Sequence, residues 1–285
     1  MLLKGAPLVL LYYKNHALRP MGDIDVAVPS SRIFEAVACL RNLGWTPRFE
    51  ITRKLLWRLH SIDFKSQSGL ELDLHWRLFF ENHRPDWDEE SWARSERADF
   101  QGLQVRAPCP TDLLLHMIIH GLRWNPERAI RWIPDAIIIL RSDKCLEWDR
   151  FVSMVEERQL VLRIKEGLNY LKQPLDAEIP SRVLERLDGL EVTAMERMGK
   201  KFALRSHEEL SRRLFGPLQI FFADYWRLKY QSLLLPYLLG YPDYLAFRLG
   251  LTGKSALALF LLRSLLKRVA RLVLPGIRKS IGISF

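Results

Sequence analysis

Two short stretches of the chain alternate apolar and acidic residues with a period of two. In 23–28, Ile24, Val26 and Val28 share one face of an extended backbone while Asp23 and Asp25 share the other. In 70–75, Leu70, Leu72 and Leu74 alternate with Glu71, Asp73 and His75. Each predicts a strand whose apolar row faces a core and turns its acids away from that core. Around them the pattern is helical. Residues 6–16 predict a helix, with Pro7 tolerated in its first turn and an apolar run from Leu8 to Tyr13. Ser30 or Ser31 caps a second helix running to about Leu43, which Gly44 ends. Residues 45–50 predict a short strand, and 55–65 with 70–78 predict a hairpin turning at Gln67-Ser68-Gly69. The acidic, Trp-rich segment from Asn82 to Asp99 predicts a loop with a helical turn. Gln101 to Ala107 predicts a strand paired with 98–100 around Gly102.

From Pro110 onward strand signals nearly vanish. Thr111 caps a helix over 112–122, and further helices are expected near 127–141, 147–157, 159–172, 181–199 and 207–215. Residues 217–250 are aromatic and apolar, broken by Pro236, Gly240 and Pro242. The fold class expected is α+β: a small mixed-sheet head over 1–109, then an all-helical region over 110–285.

Composition narrows the class. With 285 residues, 48% hydrophobic and 27% charged, the chain reads as globular, neither disordered nor membrane-spanning. Cys39, Cys109 and Cys145 show no metal-ligand spacing and no disulfide framework, and Met1-Leu2-Leu3-Lys4 does not read as a signal peptide. A reducing cytoplasm is the expectation. Net charge is +10, but eight basic residues and no acid follow Asp243, which leaves 35 basic against 33 acidic before it. The globular part before this tail is thus nearly neutral, and a nucleic-acid partner is not favoured. Over 255–274, Arg263, Lys267 and Arg271 oppose Leu262, Leu265, Leu266, Val269 and Leu272. Such a helix packs on the helical region or lies on an anionic membrane at the inner surface.

If strands 23–28 and 70–75 are neighbours, three or four carboxylates meet at one edge of a sheet. They repel one another unless cations sit among them, and hard oxygen donors favour Mg²⁺ or Mn²⁺. A lone Asp-x-Asp is weaker, since a solvated strand face has the same pattern. The ordered set here is more specific. A Gly turn before a helix, an Asp-x-Asp strand and a third Asp on a later strand resemble the nucleotidyltransferases of the DNA polymerase β superfamily. Lys4-Gly5-Ala6, Arg19-Pro20 through Asp23-Ile24-Asp25, and Leu74-His75-Trp76 are closer still to an uncharacterised bacterial nucleotidyltransferase family within it. Asp112-Leu113-Leu114 with His116 and His120, then Arg131-Trp132 with Asp135, extend the likeness to about residue 170.

The resemblance implies transfer of an NMP group from an NTP, ATP first, to a hydroxyl or phosphate acceptor with release of pyrophosphate. It implies Asp23 and Asp25 as bridging ligands of Mg²⁺ or Mn²⁺. Asp73 is to hold the ion nearest the acceptor and take its proton. Gly5 is to admit the phosphates, beside Ala6 where the superfamily often has Ser. Lys4 and Arg19 carry charge to phosphate or lie on the surface. His75 orients Asp73, touches substrate, or serves as a hydrogen-bonded structural group. His116 and His120 lie one turn apart, but Met117 stands where a zinc hydrolase needs Glu, so core hydrogen bonding is expected. A helix and a strand precede the Gly turn in the superfamily, and only Met1 to Leu3 precede Lys4. The sheet is therefore expected to lack its edge strand, or the start to lie upstream. Two rivals stay open: a catalytically degenerate nucleotide-binding or scaffold protein, and a toxin-like transferase acting on tRNA or protein. The acceptor is not legible and could be a small molecule, glycan, peptide or lipid.

Overall fold

A computed structural model describes residues 1–56, 59–79, 85–122, 130–142, 145–194, 196–197, 200, 241–247, 249–251 and 255–266. The predicted helix at 207–215, the stretch 217–240, and the tail beyond 266 lie outside the described residues. The strands are β1 (Asp23–Ala27), β2 (Thr46–Pro47), β3 (Ser61–Lys65), β4 (Glu71–His75), β5 (Glu96–Phe100) and β6 (Leu103–Ala107). The helices are α1 (Gly5–Leu8), α2 (Ile33–Asn42), α3 (Arg53–Leu56), α4 (Pro85–Ala93), α5 (Pro110–Gly121), α6 (Trp132–Leu140), α7 (Trp148–Glu157), α8 (Val161–Lys172) and α9 (Ser181–Gly189). This is the α+β class, a small mixed sheet followed by helices. The chain clusters into two units, Met1–Leu204 and Arg205–Phe285.

The sheet runs β1-β4-β3-β2, with β1 parallel to β4 and the other pairs antiparallel. Met1 to Leu3 run extended along the outer side of β1. Leu2 bridges Val26, the Leu3 N–H donates to the Asp25 carbonyl at 2.9 Å, and the Ala27 N–H donates to the Met1 carbonyl at 2.8 Å. The Leu2 N–H reaches the Arg106 carbonyl of β6 at 2.8 Å. Three residues thus pair with the edge of β1 that was expected to be bare.

Each face of the sheet buries a different core. Leu74, Trp76, Ile62 and Phe64 pack on Ile33 and Val37 of α2, one helical turn apart. On the opposite face Ala27 joins Leu3 and Leu8 and the helical core around Leu113, Ile118, Ile139, Phe151, Ile164 and Leu168. At about 1.5–3 kcal/mol per fully buried large apolar side chain, this double burial dominates the stability of the unit. It also overturns one expectation. The acid-bearing face does not turn out of the core: Asp25 is 5% and His75 1% exposed, because α1 and the helices cover that face. Only the leading residues Asp23 and Glu71 open to solvent. α5 is buried throughout except at His120, its apolar residues at the centre of the helical core and its Asp112 paired with Arg150 of α7.

Three elements differ from expectation for local reasons. The helix expected over 6–16 is α-helical only through Leu8, then widens to a π turn over Val9–Tyr13 that ends at Lys14 in the left-handed region. The wider turn brings Tyr12 and Tyr13 against the helical core. The first hairpin arm starts at Ser61, because 53–56 coil into α3, whose Leu56 carbonyl accepts from Trp76 Nε1 at 3.1 Å. The expected loop at 82–99 contains α4, where Trp87 and Ser91, four apart, bury one face. The Gln101-Gly102 turn joins β5 and β6 with φ of 53° and 83°, the positive-φ pair that matches hairpin twist. In the second unit, residues 255–266 are helical. Leu257 and Leu261 pack against Leu245 and Ala246, while Leu259, Phe260, Leu262, Leu265 and Leu266 are exposed.

Candidate metal and nucleotide site

The parallel register sets Asp25 directly beside Asp73, with Asp23 beside Glu71 and Ala27 beside His75. Side chains of one face stand in rows across neighbouring strands, so the alternation of each strand and this register together bring acids into contact. His75 Nε2 lies 3.0 Å from Asp25 Oδ1 and 2.9 Å from Asp73 Oδ2. Donor atoms of Asp25, Asp73 and His75 all fall within 4.8 Å of one another. Among the described residues, this is where three such side chains converge. Asp23 lies outside that group, two residues earlier on the same face and open to solvent.

Lys4 enters the cluster from the turn before α1. Its ammonium bonds Asp25 Oδ1 and stands 3.7 Å from Asp73 Oδ2. Its backbone holds φ 52° and ψ −117°, a region that a non-glycine residue occupies only when its surroundings impose it. Leu3 on one side is fully buried and hydrogen-bonded to β1, and Gly5 on the other is buried, so the backbone kink aims Lys4 at the acids. At Gly5 the space is filled by Met21: a Cβ there would come 2.5 Å from Met21 Sδ and would displace that side chain. Ala6 follows within α1 and is half-buried.

The charges in this cluster are mutually set. Burial raises the Asp73 pKa, but the hydrogen bond and charge of His75, the Lys4 ammonium and a hydrogen bond from Ser61 outweigh it and bring it down to about 2. Burial also disfavours a charged His75, yet its bonds to Asp25 and Asp73 prevail and raise its pKa. The Asp23 side chain reaches solvent, but crowding by the surrounding protein and the like charge of Asp25 push its pKa up. Asp73 Oδ1 and His75 Nδ1 are buried with no hydrogen-bond partner. A buried carboxylate oxygen left over beside a second carboxylate fits a divalent cation, since such an atom otherwise carries its desolvation cost unrelieved.

Ser61 was not singled out from the sequence. It faces His75 across the β3–β4 pair, and its Oγ lies 3.5 Å from His60 Nε2. The signal for it was the hairpin itself, since the turn at Gln67-Ser68-Gly69 fixes the register that puts Ser61 opposite His75.

Arg19 does not point at the acids. Its Nε donates to Asp135 Oδ1 at 2.9 Å and Oδ2 at 3.1 Å, and its Nη2 to Oδ2 at 3.0 Å. Tyr13 donates its hydroxyl to the same carboxylate at 3.0 Å, and burial together with Asp135 raises that phenol to about 12. The clamp ties the segment leading into β1 to α6. Arg19 Nη1 would lie 3.6 Å from a Cβ on Gly5, so the guanidinium flanks the Gly turn from the outside. His116 packs beside Phe79 with ring centroids 5.4 Å apart, and 6.4 Å from His120, away from the acid cluster.

A mixed-sheet head that sets carboxylates of two parallel strands beside a Lys-Gly turn, followed by helices, agrees with the fold that the sequence resemblance implies. Residues 1–176 match the model of a family described as uncharacterised nucleotidyltransferases, more than half of the chain, and the chain belongs to that family. Neither the curated proteins nor the solved structures contain a match to it.

Proposed function

We propose that this chain is a divalent-metal-dependent nucleotidyltransferase. It would move an NMP group from an NTP, ATP first, to a hydroxyl or phosphate acceptor. The acceptor oxygen attacks the α-phosphorus, the bond to the β-phosphate breaks, and pyrophosphate departs with the electron pair. The observation that supports this most is the side-by-side placement of Asp25 and Asp73, with Asp73 Oδ1 buried and unpartnered. Asp25 and Asp73, with Asp23 at the open end, would hold Mg²⁺ or Mn²⁺. The ion would supply Lewis acidity to the triphosphate and acidify the acceptor hydroxyl.

The chain's own groups divide the remaining work. Asp73, held at about 2, stays anionic and suits a ligand better than a base. The acceptor's proton would leave to solvent at the open end of the cluster, where Asp23 is exposed. Lys4 is within reach of phosphate oxygens once it exchanges Asp25 for them. Arg19, clamped to Asp135, orders the turn around Gly5. We further propose that the head over 1–109 carries the chemistry and the helical region after it the acceptor. The cytoplasm is the expected compartment. The basic segment 255–274 would touch the inner membrane surface, in keeping with the exposed Leu259, Phe260, Leu262, Leu265 and Leu266.

The degenerate reading has one observation in its favour: Lys4 and His75 already balance the two carboxylates without a metal ion. Pyrophosphate release from each NTP with Mg²⁺ or Mn²⁺, in the presence of host extract as acceptor source, separates the two. Release that Asp25→Asn abolishes is expected. Nucleotide binding by calorimetry with no release under any condition would replace the transferase by the nucleotide-binding relic.

A further inference from the structure

Building on the metal-dependent reading above, we infer that His75 is itself a ligand of the ion, and that the site therefore takes a first-row transition cation such as Mn²⁺ in preference to Mg²⁺. The family resemblance leads to an all-carboxylate set of Asp23, Asp25 and Asp73. The donors that converge are different: Asp25, Asp73 and the imidazole of His75, with Asp23 outside.

Spacing supports direct ligation. Donors about 2.1 Å from a six-coordinate ion and at right angles stand about 3.0 Å apart. His75 Nε2 is 3.0 Å from one carboxylate oxygen and 2.9 Å from the other, so the ring sits at the separation of adjacent ligands to both. A single Nε2 proton shared between two acceptors serves each at reduced strength, since it cannot lie on both donor–acceptor lines. A cation between the three atoms satisfies all of them and leaves no proton to share. The ring is also held in place. It is 1% exposed, the strand beneath it pairs with Ala27 on one side and Ser61 on the other, and the His60 ring packs against it at 5.3 Å, edge to face. The imidazole thus has no solvent-facing position to withdraw to when an ion arrives.

A nitrogen donor decides the choice of metal. Mg²⁺ takes oxygen ligands, demands near-ideal octahedral geometry and keeps several waters, whereas imidazole raises affinity for the later divalent ions. A buried set with one nitrogen penalises Mg²⁺ on both counts.

The test uses the full chain and Mn²⁺ alone, with no nucleotide. Loss of the free-ion electron paramagnetic resonance signal measures affinity, and pulsed measurement of the bound ion detects nitrogen in its first coordination sphere. The expected result is nitrogen modulation that changes when histidine is supplied as ¹⁵N. Mn²⁺ should also bind more tightly than competing Mg²⁺ by at least about tenfold, as a nitrogen ligand favours the transition ion. His75→Asn should abolish the modulation and weaken Mn²⁺ by at least about tenfold. If that variant does not fold, the labelled wild type decides alone. Mn²⁺ that binds, is lost in Asp25→Asn, and shows no nitrogen would overturn His75 as a ligand and leave the metal-dependent reading intact. A wild-type chain that binds neither Mn²⁺ nor Mg²⁺ overturns both.

Discussion

The Arg19–Asp135 clamp offers a quantitative test of how the site is held. Asp135 is 1% exposed and accepts from Arg19 Nε and Nη2 and from the Tyr13 hydroxyl, while the Arg19 side chain is 14% exposed. Removing one partner of a buried pair leaves the other charge uncompensated, which costs about 3–5 kcal/mol. The stranded Tyr13 hydroxyl adds about 1 kcal/mol. Asp135→Leu should therefore lose about 4–6 kcal/mol, a large share of a stability of about 5–15 kcal/mol. At a urea slope of about 2 kcal/mol per molar, the midpoint falls by about 2–3 M. Arg19→Leu should behave similarly, because it strands the buried carboxylate. The Arg19→Leu/Asp135→Leu double variant should recover much of the loss, giving a coupling of at least about 2 kcal/mol in a double-mutant cycle. Urea unfolding followed by circular dichroism measures all four proteins. Strict additivity within about 0.5 kcal/mol would refute the clamp and return Arg19 to the surface or to phosphate.

Three further outcomes are expected. Lys4→Met removes the cation facing Asp25 and Asp73, so without nucleotide it should bind Mn²⁺ about tenfold more tightly, worth about 1.4 kcal/mol, and melt lower when ion-free. Equal Mn²⁺ affinity in the two proteins by calorimetry would show that the ammonium does not compete with the ion. Gly121→Ala would put a Cβ 2.0 Å from Trp132 Cγ at the α5–α6 contact, an overpacking of about 1–3 kcal/mol. It should lower the melting temperature by about 2–12 °C, and an unchanged melt would mean that α5 and α6 part freely. The third concerns pH in the ion-free protein with chelator. Asp73 is depressed to about 2, so its stabilisation is present above its usual 3.8 and is lost as pH falls through 2. His75 is raised, so its contribution is whole below 6.5 and is lost as pH rises through the folded value above that. Melting temperatures should thus plateau between these limits and fall on both sides, whereas a steady gain from pH 6 to 9 would contradict the assigned pairings.

Short-range chemistry was legible along the chain. The alternation of Ile24, Val26 and Val28 with Asp23 and Asp25, and of Leu72 and Leu74 with Asp73 and His75, determined both strands and which residues share a face, because β side chains repeat every two residues. The hairpin before β4 and most helices after Pro110 followed from turn residues and periodicity in the same way. Limits appeared where a segment has two acceptable local states. Residues 53–56 can extend a strand or coil, and 85–93 can loop or wind; packing of Trp76 and Trp87 selects the helix in each case.

Tertiary structure decided what no local rule contains. Nothing near Arg19 in sequence announces Asp135, 116 residues away, because a buried charge is matched by whatever element the fold delivers to it. Nor does alternation tell which face of a doubly covered sheet holds water. The acids were placed on one face by sequence alone, but the helical core over Ala27 and the turn that aims Lys4 decided that Asp25 and His75 are buried and charge-paired. Side-chain period is a property of the backbone, whereas burial and pairing depend on which surfaces are brought together across the chain.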